Sequence, residues 1–184
     1  MTVLTPANQL TLVRVLLVPV FVILVVYGYF GWALVAFMVA GLTDLLDGLI
    51  ARTWSRRTNL GAWLDPVADK LLLVTTFVVL TLPGLGLVNR LPVWLTILII
   101  SRDVLIVLTV AVINLAIGRR EFRPSIFGKI ATATYIVTCV IIMYFNYLRQ
   151  PSMFVQVAIY TSLAITLISG FHYVFSATKI INQN

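Results

Sequence analysis

Asp44-Leu45-Leu46-Asp47-Gly48-Leu49-Ile50-Ala51-Arg52, eight further residues, and then Gly61-Ala62-Trp63-Leu64-Asp65-Pro66-Val67-Ala68-Asp69 hold four of the six acidic residues of this 184-residue chain. Both segments lie at the ends of apolar runs, where helices are expected. Asp44 and Asp47 are three apart and Asp65 and Asp69 four apart, so each pair shares one face of its helix. The short connection between the runs brings the pairs together. Without a cation, four converging carboxylates would repel one another and take up protons, whereas hard divalent ions favour such an oxygen-rich site. Two ions there would neutralise a pyrophosphate and stabilise both the entering and the leaving oxygen of a displacement. Gly48, Ala51 and Gly61 keep the intervening positions small, which lets a bulky ligand approach the helix backbones. The competing structural reading pairs these acids with Arg52, Arg56, Arg57 and Lys70, but it does not account for the spacing or the small residues.

The surrounding composition decides the solvent. Hydrophobic residues make up 61% of the chain and charged residues 10%, against roughly a quarter charged in soluble domains. Acids are costly in hydrocarbon, so carboxylates inside such runs mark a functional site. Six stretches approach the ~20 residues a bilayer core requires: Gln9 to Tyr27, Trp32 to Ile50, Val67 to Leu82, Pro92 to Ile117, Ile126 to Tyr147 and Met153 to Ser176. Turn chemistry separates them, namely Gly28 and Gly31, then Pro83, Gly84 and Gly86, then residues 118–124, then Pro151. The reading is an all-α integral membrane protein of six transmembrane helices in one domain, residues 1–184. The first run is read as a retained helix, since no charged segment precedes it, Arg14 interrupts it and no small-residue cleavage site follows.

The 13 Lys and Arg residues are scattered between the apolar runs, which points to orientation and not to nucleic acid. Arg52, Arg56, Arg57, Arg119, Arg120, Arg123, Lys129 and Lys179 fall on one side, against only Arg90 and Arg149 on the other. The positive-inside rule then places both termini and the loop between the carboxylate pairs at the cytoplasmic face, where a soluble nucleotide has access. Cys139, the only cysteine, lies in an apolar run and is expected to pack inertly. Trp32, Trp54, Trp63 and Trp94 read as interfacial aromatic residues, and His172 as an interfacial side chain without acidic neighbours. A small transporter would also place acids in helices, but these gather at one interface and no inverted repeat is present.

Eight positions of the opening stretch, Asp44, Asp47, Gly48, Ala51, Arg52, Gly61, Asp65 and Asp69, resemble in register the signature of the CDP-alcohol phosphotransferases. The resemblance extends over most of the chain, because that family also has six spans with the signature on the second and third. It implies a homodimeric membrane enzyme that transfers a phosphatidyl group from CDP-diacylglycerol to an alcohol and releases CMP. It further implies two Mg²⁺ or Mn²⁺ ions held by Asp44, Asp47, Asp65 and Asp69, with Asp69 as general base on the acceptor hydroxyl. Asp44, Gly48, Ala51 and Gly61 would contact the CDP-lipid and Arg52 its diphosphate, a role that suits a guanidinium able to fork two phosphate oxygens. Asn8-Gln-Leu-Thr11-Leu-Val-Arg14 is similar to the family's opening of the first helix, which adds Asn8 and Thr11 to the CDP-lipid contacts and Arg14 to the acceptor contacts. Helix capping by Asn8 explains that residue equally well.

The acceptor must be read from later helices. Arg102 and Asp103 interrupt the fourth run and Lys129 opens the fifth, making Arg102 and Lys129 acceptor candidates; a structural ion pair accounts for Arg102 and Asp103 equally. Phosphatidylglycerophosphate synthases resemble this chain but carry Gly-Lys-x-Lys-Thr where it has Gly128-Lys129-Ile130-Ala131-Thr132. One cation fewer argues against the doubly charged phosphate of glycerol 3-phosphate. Ala40 to Gly48 together with Ile99-Ile-Ser-Arg-Asp-Val104 is similar to eukaryotic-type cardiolipin synthases, whose acceptor is phosphatidylglycerol. That acceptor is the favoured expectation and glycerol 3-phosphate the alternative.

Overall fold

A computed structural model describes the backbone of residues 6–54, 59–117 and 126–182, and the side chains of residues 11–43, 68, 70–109, 112, 115, 126–175 and 178. Six α-helices follow one another: α1 (Pro6–Val26), α2 (Phe30–Trp54), α3 (Asn59–Thr81), α4 (Val93–Ile117), α5 (Ile126–Tyr147) and α6 (Met153–Asn182). No strand occurs among the described residues. Each apolar run has become one helix, but α3 begins eight residues before the expected Val67 and α2 continues four beyond Ile50. Hydropathy marks only the part of a helix that suits hydrocarbon, while its backbone hydrogen bonds continue through polar turns. As a result, Asp44, Asp47, Asp65 and Asp69 all have helical backbones. Two helical segments, Ile126–Tyr147 and Met153–Phe175, are long and apolar enough to cross a bilayer, and Thr11–Val26, Phe30–Thr43 and Lys70–Thr81 are shorter apolar helical stretches.

The chain divides into two compact units, residues 1–90 with 142–151, and residues 91–141 with 152–184. In the first, α1 packs against both α2 and α3. It buries Thr11, Arg14, Val18, Phe21 and Val25, a run of three- and four-residue steps that forms one helical face. On α2, Ala33, Ala36 and Ala40 are buried with Phe37, whose ring meets Phe21 at 6.1 Å between centroids. Small residues at such a seam let helices approach closely. The opposite faces are apolar and outward, as Leu16 at 66% exposure and Ile23 at 55% illustrate.

Two helix ends in this unit share one stop. After α1, the N–H of Tyr29 donates to the carbonyl of Leu24 and that of Gly28 to Val25, with Gly28 at a φ of 76°. This is the Schellman arrangement, whose left-handed residue is usually glycine. After α5, Gln150 donates to Phe145 and Arg149 to Asn146 in the same pattern, but the left-handed residue is Arg149 at a φ of 55°.

In the second unit a polar seam joins the helices. The hydroxyls of Thr138 and Ser162 lie 2.8 Å apart, and those of Tyr135 and Thr166 2.7 Å apart. As α5 advances α6 recedes, so the two are antiparallel. Arg102 donates to the Ser169 hydroxyl, and the Tyr173 hydroxyl donates to the carbonyl of Ile106 at 3.2 Å. These pairs step four residues in the same direction, so α4 and α6 are parallel, as a chain that reverses at every turn requires. Ser162, Thr166, Ser169 and Tyr173 thus form one polar stripe on α6, and its hydrogen bonds are interhelical glue in an apolar medium.

Candidate active site

Helical geometry arranges the carboxylate pairs. Asp44 and Asp47 lie about 4.5 Å apart along the axis of α2 and Asp65 and Asp69 about 6 Å apart along α3, at 1.5 Å of rise per residue, so each pair occupies one face of a continuous helix. The side chains of Asn8, Asp44, Asp47, Gly48, Ala51, Arg52, Gly61, Asp65 and Asp69 lie outside the described residues. Their placement here is therefore one of helix and register. Four carboxylates are the oxygen donor set that Mg²⁺ or Mn²⁺ takes, and in that respect the residues fit the metal. Among the described residues no three metal-ligating side chains gather, so the metal reading rests on the quartet alone.

Thr11 and Arg14, three apart on α1, are both about 1% exposed. Both lie on the inward face of α1, the helix that contacts both carboxylate-bearing helices. A buried arginine is expensive unless its charge and donors are met.

The later candidates differ among themselves. Arg102 Nη1 lies 2.7 Å from Asp103 Oδ1, with side chains 11% and 18% exposed, and the guanidinium also donates to Ser169. The ion-pair reading of these residues is therefore present in the structure, and Ser169, which sequence reasoning did not single out, joins it. Only the stripe Ser162, Thr166, Ser169 on α6 could have signalled that partner. Lys129 is exposed near the start of α5. Ala131, in place of the second lysine of the related pattern, is fully buried. Cys139 is a buried free thiol, as expected. His172 sits against the ring of Phe127, 4.6 Å between centroids.

An all-helical chain with paired carboxylates on consecutive helices and several apolar helical segments has the make-up of a membrane-embedded transferase. Residues 4–168 match the profile of the CDP-alcohol phosphatidyltransferases, and the chain belongs to that enzyme family. A probable phosphatidylglycerophosphate synthase of Mycobacterium tuberculosis is 34% identical over 95% of this chain and 82% of its own length. The CMP-forming cardiolipin synthase of Homo sapiens is 33% identical over 96% of this chain and 63% of its own length. A CMP-forming cardiolipin synthase of Streptomyces coelicolor is 34% identical over 71% of this chain and 60% of its own length. The chain thus spans most of the mycobacterial relative and less than two thirds of the two cardiolipin synthases.

Proposed function

We propose that this protein is a multi-pass membrane enzyme that transfers a phosphatidyl group from CDP-diacylglycerol to a glycerol-type alcohol, with phosphatidylglycerol as the favoured acceptor, cardiolipin as product and CMP released. The observation that carries the reading is the complete eight-position pattern of carboxylates, small residues and Arg52 from Asp44 to Asp69, held on α2 and α3. Six spans in one domain follow from the six apolar runs, and cytoplasmic termini from the cation distribution. The outward apolar faces and the alternating directions of α4, α5 and α6 support that topology. Homodimerisation belongs to the same reading.

In this mechanism Asp44, Asp47, Asp65 and Asp69 hold two divalent ions, which when bound supply positive charge to the donor diphosphate. Arg52 forks the phosphate oxygens, while Gly48, Ala51 and Gly61 leave room for the nucleotide. Asp69 takes the proton of the acceptor hydroxyl. The acceptor oxygen forms a bond to the lipid-side phosphorus as the bond from that phosphorus to the CMP oxygen breaks. Since the signature contains no serine, cysteine or histidine nucleophile, a single displacement suffices, and catalysis rests on positioning and charge.

Lys129 with Ala131 favours the singly charged phosphodiester of phosphatidylglycerol. The second reading, glycerol 3-phosphate as acceptor, has its own support in the similarity to the mycobacterial synthase over 82% of that protein's length. Purified protein given CDP-diacylglycerol with both acceptors decides between them by the lipid formed. Cardiolipin is expected; a product that is overwhelmingly phosphatidylglycerophosphate would establish the second reading, and no CMP release with either would overturn both.

A further inference from the structure

A cavity of about 630 Å³ opens at the end of the first unit where α2 begins and α5 ends. It has no part in the chemistry described above. Its walls include Tyr29, Phe30, Trp32, Tyr144, Tyr147 and Arg149. Phe30 is 14 residues before Asp44 on the same helix, about 21 Å along its axis, so the cavity is well separated from the carboxylates of α2.

Three features mark this as a built site. The guanidinium of Arg149 lies over the Phe30 ring, 4.9 Å from its centroid, and engages the carbonyl of Gly86 only by a long 3.4 Å hydrogen bond. A guanidinium carries five N–H donors, and Arg149 is an exposed residue of the cavity wall. The backbone of Arg149 occupies the left-handed position that glycine normally fills, and a side chain there is retained against a steric penalty. The surroundings are also fixed. Asn146 bonds both the N–H and the carbonyl of Asn89, while the Asn89 side chain donates to Gln150, pinning the Gly86 loop beside the arginine.

The chemistry of the walls selects the occupant. Among the described residues no carboxylate forms an ion pair with Arg149. Tyr29, Trp32, Tyr144 and Tyr147 are 60%, 68%, 46% and 57% exposed, the amphipathic rings that settle at headgroup depth. Below them the cavity continues onto Leu34 and Val35, apolar surface for an acyl chain. We propose that this cavity binds an anionic glycerophospholipid of the leaflet opposite the carboxylates, with its phosphate on Arg149, its headgroup among the tyrosines and its chain along α2. The inference rests on the membrane placement proposed above.

Trp32 reports on the site directly. The test uses a protein whose other tryptophans are replaced by phenylalanine, in phosphatidylcholine vesicles containing a minor fraction of lipid brominated near the headgroup, either phosphatidic acid or phosphatidylcholine. Phosphatidic acid is neither the donor nor the favoured acceptor, so occupancy of the active site does not mimic the result. Brominated phosphatidic acid is expected to quench Trp32 with roughly two- to fivefold higher apparent affinity than brominated phosphatidylcholine, the scale of one partly exposed ion pair. Arg149→Gln should abolish the preference and Arg149→Lys should keep part of it. Equal quenching by the two lipids in the parent protein would overturn the site while leaving the membrane placement standing. Absence of quenching by either lipid would instead remove the membrane placement of this end, and the site with it. Inorganic phosphate at matched ionic strength should not relieve the quenching; relief would show a free-phosphate site and overturn the lipid assignment.

Discussion

Asn146 and Asn89 hold each other by a reciprocal pair of hydrogen bonds: the Asn89 N–H donates to Asn146 Oδ1 at 2.9 Å, and Asn146 Nδ2 donates back to the Asn89 carbonyl at 2.8 Å. The side chain of one residue thereby satisfies the whole backbone of another, 57 positions away. Asn146 is fully buried and Asn89 8% exposed, so neither backbone group has easy access to water.

Asn146→Ala is therefore expected to destabilise the fold by about 2–4 kcal/mol, because it strands a buried donor and a buried acceptor at roughly 1–3 kcal/mol each, with partial relaxation. Reversible unfolding in mixed detergent, compared with the parent, checks this. An alanine variant as stable as the parent would show that the loop is held by other contacts.

Gly31 matters for space. A Cβ placed there would stand 2.8 Å from Cδ2 of Tyr147 and 2.9 Å from Cε2, closer than real Cβ contacts occur. Tyr147 is 57% exposed and has room to swing outward. Gly31→Ala should thus cost about 1 kcal/mol, at the low end for overpacking. In a double-mutant cycle with Tyr147→Ala most of that cost should vanish, since residues in contact are not additive. Simple additivity in thermal unfolding would separate the two positions.

For the chemistry, Asp69→Asn is expected to lower turnover at least about a hundredfold, the usual contribution of a positioned base, while CDP-diacylglycerol remains bound through Arg52 and the small-residue pocket. Chelator should abolish activity in the parent and Mg²⁺ or Mn²⁺ should restore it. Turnover of Asp69→Asn within tenfold of the parent would remove the general-base role, and full activity in excess chelator would remove the metals.

Acceptor choice is best tested at Lys129. Its exposure at the start of α5 lets Lys129→Ala be made without a packing defect, and a rise in acceptor KM with donor KM unchanged is expected from loss of one charge-assisted phosphate contact. Ala131 is a poorer lever, because it is fully buried. A lysine there has to displace packed neighbours or snorkel, so Ala131→Lys is expected to lower stability before it alters specificity. Equal acceptor KM for Lys129→Ala and the parent would exclude Lys129 from the acceptor site.

How far the chain could be read in advance depends on whether the governing interaction is local. The six helices were legible because an apolar run ended by Gly or Pro is a property of consecutive residues, and α4, α5 and α6 begin within one residue of the expected positions. The start of α3 was not, since Asn59 to Pro66 forms helix through backbone hydrogen bonds that hydropathy does not register. Ser169 was missed as the partner of Arg102 for a related reason: hydroxyls in apolar helices are common, and only the packing of α4 on α6 selects one of them.

By itself, the sequence determined the helix count, the charge asymmetry between the helix ends and the placement of two carboxylate pairs at helical spacing. Each of these follows from residue type and from a period of 3.6. The tertiary structure alone decided which polar groups meet. It buried Arg14 and Thr11 in the face of α1, paired Asn146 with Asn89 across 57 residues, ran α4 parallel to α6, and turned Arg149 left-handed over Phe30. The physical reason is that a helix specifies its own axis and faces through neighbours three and four residues away. Which face meets which is set by packing and hydrogen bonds between segments distant in the chain, and a linear pattern carries no such distances.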